Sequence, residues 1–240
     1  MSTATIQRNK QGKGIKFPAC GSAPRLLNGD HLTVPEFERR YWAMPEVKKA
    51  ELIEGIVVMS PPVSNTHGEA HGTITYLLKR YAQATPGVSC GSNTSVRLDG
   101  KNEYQPDVLL RIESGKLTRS KVAPDGLLDG NPELVAEIAV SSAAYDLHEK
   151  MAVYQRCLVP EYFVWQVMDS QIHWFALEQG DYVELEPRSD GVIRSRIFPG
   201  LWLDIRALLA GDEDKVSRVL EKGLRSAEHA AFVKRLAGAK

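Results

Sequence analysis

A single carboxylate interrupts an apolar run near the middle of the chain. Glu137 lies between Ala136 and Ile138, within a stretch that is otherwise aliphatic. An ionised carboxylate in apolar surroundings is costly unless it is paired, hydrogen-bonded, protonated or bound to a metal. Asp107 begins a second apolar run, and Lys150 follows Glu137 in a more polar segment. Two acids and a lysine on successive elements indicate a metal-dependent active site.

The two acids would suit a hard cation. Carboxylates on adjacent strands converge on one point when both face the same side of the sheet. Oxygen ligands of this kind favour Mg²⁺ or Mn²⁺ over zinc. An ion that bridges Asp107 and Glu137 would polarise a phosphodiester and lower the pKa of an attacking water. Lys150 would orient that water or stabilise the charge that develops on phosphorus.

Hydrophobic periodicity and turn residues predict the elements that position these side chains. The expected helices are one capped by Thr33 that ends near Ala43, and others at 64–84, 145–157, 204–210 and 213–236. The expected strands are a hairpin at 50–62, strands at 88–98 and 105–112, the strand of Glu137, a strand at 161–168 and a C-terminal β meander. Residues 113–131, rich in Gly, Lys, Ser and Asp, are expected to form a long surface loop.

Composition indicates one soluble α/β (α+β) domain with additional termini. The chain has 240 residues, of which 43% are hydrophobic and 25% charged, and no apolar run approaches the roughly 20 residues that span a bilayer. Three widely spaced cysteines without a CxxC motif are expected to be free thiols in a reducing cytoplasm. We expect a loosely attached basic arm at 1–29, the domain itself at 30–212, and a helical extension at 213–240.

The net charge of zero is unevenly distributed. Residues 1–27 carry +5 and residues 213–240 carry +3, so the segment between them carries −8. An acidic balance of this size does not predict a broad phosphate-binding surface. If nucleic acid binds, metal ions or the basic termini are expected to supply much of the positive charge.

A series of short motifs occurs in a recognisable order. The motifs are Glu51-Leu52-Ile53-Glu54-Gly55, Met59-Ser60-Pro61-Pro62, His67, Pro106-Asp107-Val108, Val135-Ala136-Glu137-Ile138, Asp146 with Lys150 and Tyr154, Glu161-Tyr162, and Phe198-Pro199-Gly200-Leu201. Over about residues 32–212 this order resembles the Uma2 family of restriction-endonuclease-like proteins. The resemblance implies the restriction-endonuclease-like fold, in which helices flank a mixed central sheet, and membership of the PD-(D/E)xK nuclease superfamily.

One position departs from the superfamily pattern. The superfamily signature has Glu-x-Lys, whereas Glu137-Ile138 is followed by Ala139. The Uma2 pattern instead has a lysine on the following helix, and Lys150 matches it. A lysine side chain is long enough to place its ammonium at the same point, provided that this helix packs over the end of the strand.

Other residues have two interpretations each. Glu51 is either a supporting acid of the site or a member of a structural salt bridge. His67 either approaches a phosphate or caps its helix, and His71 lies four residues further on without the HExxH pattern of a zinc site. Asp146 and Tyr154 are expected to be capping and packing residues.

The leading functional hypothesis is a Mg²⁺-dependent (or Mn²⁺-dependent) nuclease that hydrolyses phosphodiester bonds of DNA. Asp107 and Glu137 would bind the metal and Lys150 would assist, with Glu51 and His67 in support. The alternative is an inactive homologue that keeps the fold and binds nucleic acid or protein. A homodimer is compatible with either hypothesis, and no membrane association is expected.

Overall fold

The computed structural model describes residues 23–113, 115–140 and 146–239. Its strands are β1 (Ala50–Ile53), β2 (Ile56–Met59), β3 (Val88–Ser92), β4 (Val96–Asp99), β5 (Asn102–Tyr104), β6 (Val108–Ile112), β7 (Ser120–Val122), β8 (Leu128–Gly130), β9 (Leu134–Ala139), β10 (Glu161–Gln166), β11 (Gln171–Glu178), β12 (Asp181–Glu184), β13 (Val192–Arg194) and β14 (Trp202–Asp204). Its α-helices are α1 (Val34–Trp42), α2 (Asn65–Ala84), α3 (Met151–Arg156), α4 (Ile205–Leu209), α5 (Glu213–Leu224) and α6 (Ala227–Gly238).

The described residues form two compact units. The first contains the described residues up to Pro62 together with Ser95–Gln105 and Lys121–Gly130, and the second contains the others. Most of the predicted basic arm, including Cys20, lies outside the described residues. The domain boundaries expected after residues 29 and 212 stay predictions.

The first unit contains a six-stranded sheet in the order β2-β1-β5-β4-β8-β7. The predicted hairpin is confirmed, because β1 and β2 pair antiparallel with Ala50 opposite Met59. Glu54 and Gly55 both have positive φ, 53° and 79°, as a two-residue type I′ turn requires. Helix α1 follows Thr33 as predicted, although the side chain of Thr33 makes no capping hydrogen bond within the described residues.

Four acids of the first unit surround one arginine. The guanidinium of Arg97 forms ion pairs with Glu38, Asp125 and Asp129, and its Nε lies 4.0 Å from Glu103 Oε2. Glu103 is buried, and burial together with a hydrogen bond to Glu38 raises its pKa from 4.5 to about 9. The cluster therefore contains one acid that keeps its proton at neutral pH.

The second unit contains a mixed six-stranded sheet in the order β12-β11-β10-β9-β6-β3 and a small antiparallel pair, β13-β14. Strands β9 and β10 are parallel, and the other neighbours are antiparallel. Helix α2 has its predicted bounds, and its residues Ile74, Leu77, Leu78 and Tyr81 are buried in the core of this unit. The predicted fold class, a mixed α/β architecture with helices beside a mixed sheet, is confirmed.

The C-terminal segment corrects one prediction. A single helix was expected at 213–236, but the structure has two, since Ser226 caps α6 by accepting the backbone N–H of His229 at 3.3 Å. Apolar residues of both helices are buried in the core of the second unit: Val216, Leu220, Phe232 and Leu236. Gly223 of α5 packs directly against the backbone of Gly200, so this helix is an integral part of the unit.

Two further predictions are wrong in detail. The strand expected at 88–98 is two strands in different sheets, β3 and β4, because Asn93 adopts a left-handed conformation with φ 49° and redirects the chain. The loop expected at 113–131 contains β7 and β8, which are only three residues long and too short to show a periodic pattern.

Among the described residues, no helix combines the length and apolar character needed to cross a membrane.

Candidate active site

Strand pairing brings Asp107 and Glu137 together. Strands β6 and β9 are antiparallel with Val108 opposite Ala136, so Asp107 faces Glu137 one step further along. Residues directly opposite each other in an antiparallel pair project from the same face. The N–H of Ile138 donates to Asp107 Oδ2 at 2.9 Å, and the N–H of Asp107 lies 3.4 Å from Glu137 Oε2. Both carboxylates are buried, and each accepts a backbone hydrogen bond from the strand of the other.

Lys150 reaches Glu137 from the element that follows β9. Residues Asp146–Lys150 form a π-helical turn that leads directly into α3, while the predicted helix start at Tyr145 lies outside the described residues. Lys150 Nζ donates to Glu137 Oε1 at 3.1 Å. The side chains of Lys150 and Glu137 are only 6% and 3% exposed, so this is a buried ion pair. The ammonium of Lys150 thus lies beside Glu137, as expected from the sequence, and its part in catalysis stays a prediction.

Tyr154 and Asp146 also belong to this cluster. The hydroxyl of Tyr154 donates to Glu137 Oε1 at 3.0 Å, and Asp146 Oδ1 lies 3.7 Å from Lys150 Nζ. Both were expected to be packing and capping residues, so their contacts with the site were not predicted. Their spacing was a usable signal, because residues 146, 150 and 154 recur every four positions and such residues share one helix face.

Tyr162 on β10 stabilises the π-helical turn through a hydrogen bond. Its hydroxyl donates to the main-chain oxygen of Asp146 at 2.9 Å, and its ring lies 5.0 Å from that of Tyr154. The neighbouring Glu161 is fully buried and accepts hydrogen bonds from Ser195 Oγ, Trp174 Nε1 and two backbone N–H groups. Burial raises the pKa of Glu161, and these hydrogen bonds oppose the rise. The Glu161-Tyr162 motif is thus structural, and its tyrosine helps to position Lys150.

Two histidines of α2 contact Asp107. His67 Nε2 lies 3.2 Å from Asp107 Oδ2, and Ser64, not His67, supplies the capping side chain of this helix. His71 Nε2 lies 3.0 Å from the main-chain oxygen of Asp107 and 3.1 Å from Ser92 Oγ. The two imidazole rings stack with their centroids 5.9 Å apart. Sequence reasoning gave no role to His71, although its four-residue spacing from His67 placed it on the same face.

Glu51 lies on β1 of the first unit. It is buried, and its Oε1 accepts the backbone N–H of Gln105 at 2.8 Å. This contact stabilises the fold of the first unit, while the supporting role of Glu51 in a site stays a prediction.

The donor set is compatible with a hard cation. Asp107 and Glu137 supply carboxylate oxygens, and magnesium is commonly held by one or two carboxylates with water in its remaining positions. Within the described part of the chain, no group of three or more His, Cys, Asp or Glu residues could hold a metal ion. A structural zinc site uses four protein ligands and a catalytic one three. Asp107 and Glu137 thus supply oxygen ligands of the kind that magnesium and manganese take.

Comparison with known proteins gives the chain its family. The sequence model of Uma2, described as "Putative restriction endonuclease", matches residues 34–206. The chain belongs to the Uma2 family. Residues Asp107, Glu137 and Lys150 all lie inside the matched segment, and the resemblance predicted from the motifs is confirmed. Membership of Uma2 supports a nuclease-like function.

A solved structure shows the same fold as this Uma2 protein. It is a "putative nuclease belonging to DUF820" from Anabaena variabilis, which is 14% identical with a TM-score of 0.54. The similarity covers 71% of this chain and 96% of that one. At this level of identity the similarity concerns the fold, and it confirms the predicted restriction-endonuclease-like architecture. A comparison with curated proteins finds no match.

Proposed function

We propose that this Uma2 protein is a metal-dependent nuclease that hydrolyses phosphodiester bonds of DNA. The observation that supports the proposal most strongly is the buried cluster in which Lys150 Nζ lies 3.1 Å from Glu137 Oε1. Asp107 just before β6, Glu137 on β9 and Lys150 on the turn before α3 form a cluster whose burial costs desolvation energy. A purely structural core would gain more from apolar residues at these positions, so a catalytic reason for the cluster is the better explanation.

Asp107 and Glu137 would hold the metal. When bound, Mg²⁺ or Mn²⁺ would polarise the phosphodiester and lower the pKa of the attacking water. The backbone N–H of Ile138 fixes Asp107, and the Tyr154 hydroxyl fixes Glu137, so both carboxylates are held before substrate arrives. Such preorganisation avoids reorganising the site during the reaction.

Lys150 and His67 would act on the substrate side. Lys150 carries an ammonium beside Glu137, where a cation can stabilise negative charge that develops on the phosphoryl oxygens. His67 contacts Asp107 through Nε2, and its side chain is partly exposed, so it can both orient that carboxylate and approach a phosphate.

A cleavage assay with a matched control tests the proposal. Wild-type protein and Glu137→Gln would be incubated with plasmid DNA and Mg²⁺, alongside Glu149→Gln, which makes the same substitution at an exposed position on the π-helical turn that carries Lys150. We expect cleavage by the wild type and by Glu149→Gln, and its loss in Glu137→Gln at temperatures where circular dichroism shows a folded protein. Cleavage by Glu137→Gln at the wild-type rate would refute the assignment.

A second candidate function is a binding or regulatory protein that retains the fold without turnover. The observation in its favour is that Glu137 Oε1 already accepts hydrogen bonds from both Lys150 and Tyr154. Titration calorimetry with Mn²⁺ separates the two candidates. Binding that disappears in Asp107→Asn supports the nuclease, whereas no heat of binding at about millimolar Mn²⁺, the weak end of protein affinities, supports the non-catalytic candidate.

We further propose that the protein acts as a homodimer in the cytoplasm. Two copies related by a twofold axis would present one site to each strand of a duplex. The free thiol of Cys90 is compatible with a reducing compartment. Sedimentation velocity and cell fractionation test these two points, and a monomer that cuts both strands would remove the need for a dimer.

A further inference from the structure

A surface groove of about 450 Å³ runs along one face of α2 in the second unit. Its lining includes His71, Thr75, Tyr76, Lys79, Arg80 and Gln83. Four of these residues recur at four-residue intervals and so form one stripe along the helix. From the first to the last of them the stripe extends about 18 Å, roughly the length of five stacked nucleotides.

The groove begins at the candidate active site. His71 lines one end of it, and the Nε2 atom of this residue lies 3.0 Å from the main-chain oxygen of Asp107. The ring of His71 also stacks on that of His67, which contacts the Asp107 carboxylate. A polymer held in the groove would therefore pass beside Asp107, one of the two proposed metal ligands.

The charge of this groove is positive. Lys79 and Arg80 line it and no carboxylate does, whereas a second groove, between α2 and α5, is lined by Glu69 and Glu213 and shares Tyr76 with the first. Arg80 is committed to an ion pair with Glu221 at 2.7 Å. Lys79 is exposed and, within the described residues, has no carboxylate partner within 4.0 Å. The unit thus presents an available cation in a groove that leads to an acidic site.

Tyr76 adds an aromatic surface to this groove. Its side chain is 57% exposed, and no other aromatic residue in the described part of the chain is exposed to this degree. An exposed tyrosine beside a lysine is the combination with which proteins bind unpaired nucleic-acid strands, because bases stack on the ring while cations contact the backbone.

We propose that this groove binds an unpaired strand of the substrate where it leaves the active site, with Tyr76 stacked on a base and Lys79 against a phosphate. The inference rests on the proposed nuclease function and names its substrate class, which is DNA with a single-stranded segment beside the cleaved bond. A duplex would engage the groove less well, since its bases are already stacked and unavailable to Tyr76.

Binding without metal tests the groove separately from cleavage. Fluorescence anisotropy in EDTA would compare a labelled single-stranded DNA oligonucleotide with its duplex over a range of salt concentrations. We expect tighter binding of the single strand, a loss of about tenfold in Tyr76→Ala, and wild-type affinity in Tyr76→Phe, which keeps the ring. Lys79→Ala is expected to reduce the salt slope for the single strand by about 0.7, the value for one phosphate contact.

Lys234→Ala provides the matched control, because Lys234 is an exposed lysine on α6 outside the groove. The groove proposal is overturned if the wild type prefers duplex or binds neither DNA, if Tyr76→Ala binds as tightly as the wild type, or if Lys234→Ala reduces the slope as much as Lys79→Ala. The nuclease proposal fails in a different way. In that case the wild type does not cleave DNA, while the effects of Tyr76→Ala and Lys79→Ala on binding remain.

Discussion

Replacing Lys150 by methionine removes the ammonium that lies 3.1 Å from Glu137 Oε1 but nearly preserves the volume of the side chain. Because both partners are almost fully buried, loss of the cation is expected to cost about 3–5 kcal/mol in the free energy of unfolding. The Tyr154 hydroxyl still donates to Glu137 and limits this cost. Activity is expected to fall by about 10² to 10³, the usual effect of removing one donor that stabilises developing charge.

A lysine returned to the strand provides the sharper test. Ala139 is two residues beyond Glu137 on β9, so its side chain projects from the same face of the sheet. If Lys150 has taken over the part of a strand lysine, the double variant Lys150→Met with Ala139→Lys should recover some of the lost stability and activity. The expected coupling energy is about 0.5–3 kcal/mol, the range seen for residues in contact.

Urea unfolding and plasmid cleavage would be measured for both single variants and the double variant. Lys116→Met is the control, because it removes an exposed lysine of the same unit. The reasoning is refuted if Lys150→Met cleaves DNA at the wild-type rate. It is equally refuted if the effects of Lys150→Met and Ala139→Lys on stability and activity are additive, since lysines at the two positions would then not contact the same carboxylate.

The remaining predictions concern stability. The folded state keeps the proton on Glu103 up to about pH 9, while the unfolded chain loses it near 4.5, so stability should fall as pH rises through this window. Melting temperatures against pH should show a flatter decline for Glu103→Gln than for the wild type, and no such change for Glu186→Gln, an exposed control. Gly223→Ala should lower the free energy of unfolding, measured by chemical denaturation, by more than about 2 kcal/mol because the new Cβ would overlap backbone atoms. Gly238 has open space around it, so Gly238→Ala should leave this free energy unchanged or raise it. Glu161→Gln should lower the free energy of unfolding by about 2–4 kcal/mol, since an amide cannot accept from all four donors around it; an unchanged urea midpoint would contradict this.

Long periodic segments were predictable from the sequence because they carry their own signal. Helix α2 has five buried apolar residues at helical spacing and a serine cap, and the structure has it at the predicted bounds. Short strands carried no such signal. The strands β7 and β8 form because they pair with neighbouring strands of the sheet, which is a tertiary effect. Their composition alone predicted a loop.

The acids of the site were predictable for a different reason. Glu137 stood out because burying a charge is expensive, and Asp107 because it opened an apolar run, so local chemistry indicated both. The histidine His71 was missed because its main contact is with a backbone oxygen, which sequence does not mark. Tyr154 was missed since its contact with Glu137 depends on the docking of α3 over β9, whereas the contact of Asp146 with Lys150 is local and follows from their four-residue spacing.

The position of Lys150 outside β9 changes what the candidate site depends on. In a Glu-x-Lys strand, the acid and the lysine share one face through local backbone geometry alone. Here the acid is on β9, and the lysine is thirteen residues further on, at the end of a π-helical turn. That turn is held by Tyr162, which donates to the oxygen of Asp146 from β10. The ion pair therefore forms only when β9, β10 and the turn are packed together, so any change that loosens this packing separates Lys150 from Glu137 before it unfolds the sheet. Loss of activity at temperatures below the melting transition is the expected consequence, and π-helical turns are frequent at functional sites of this kind.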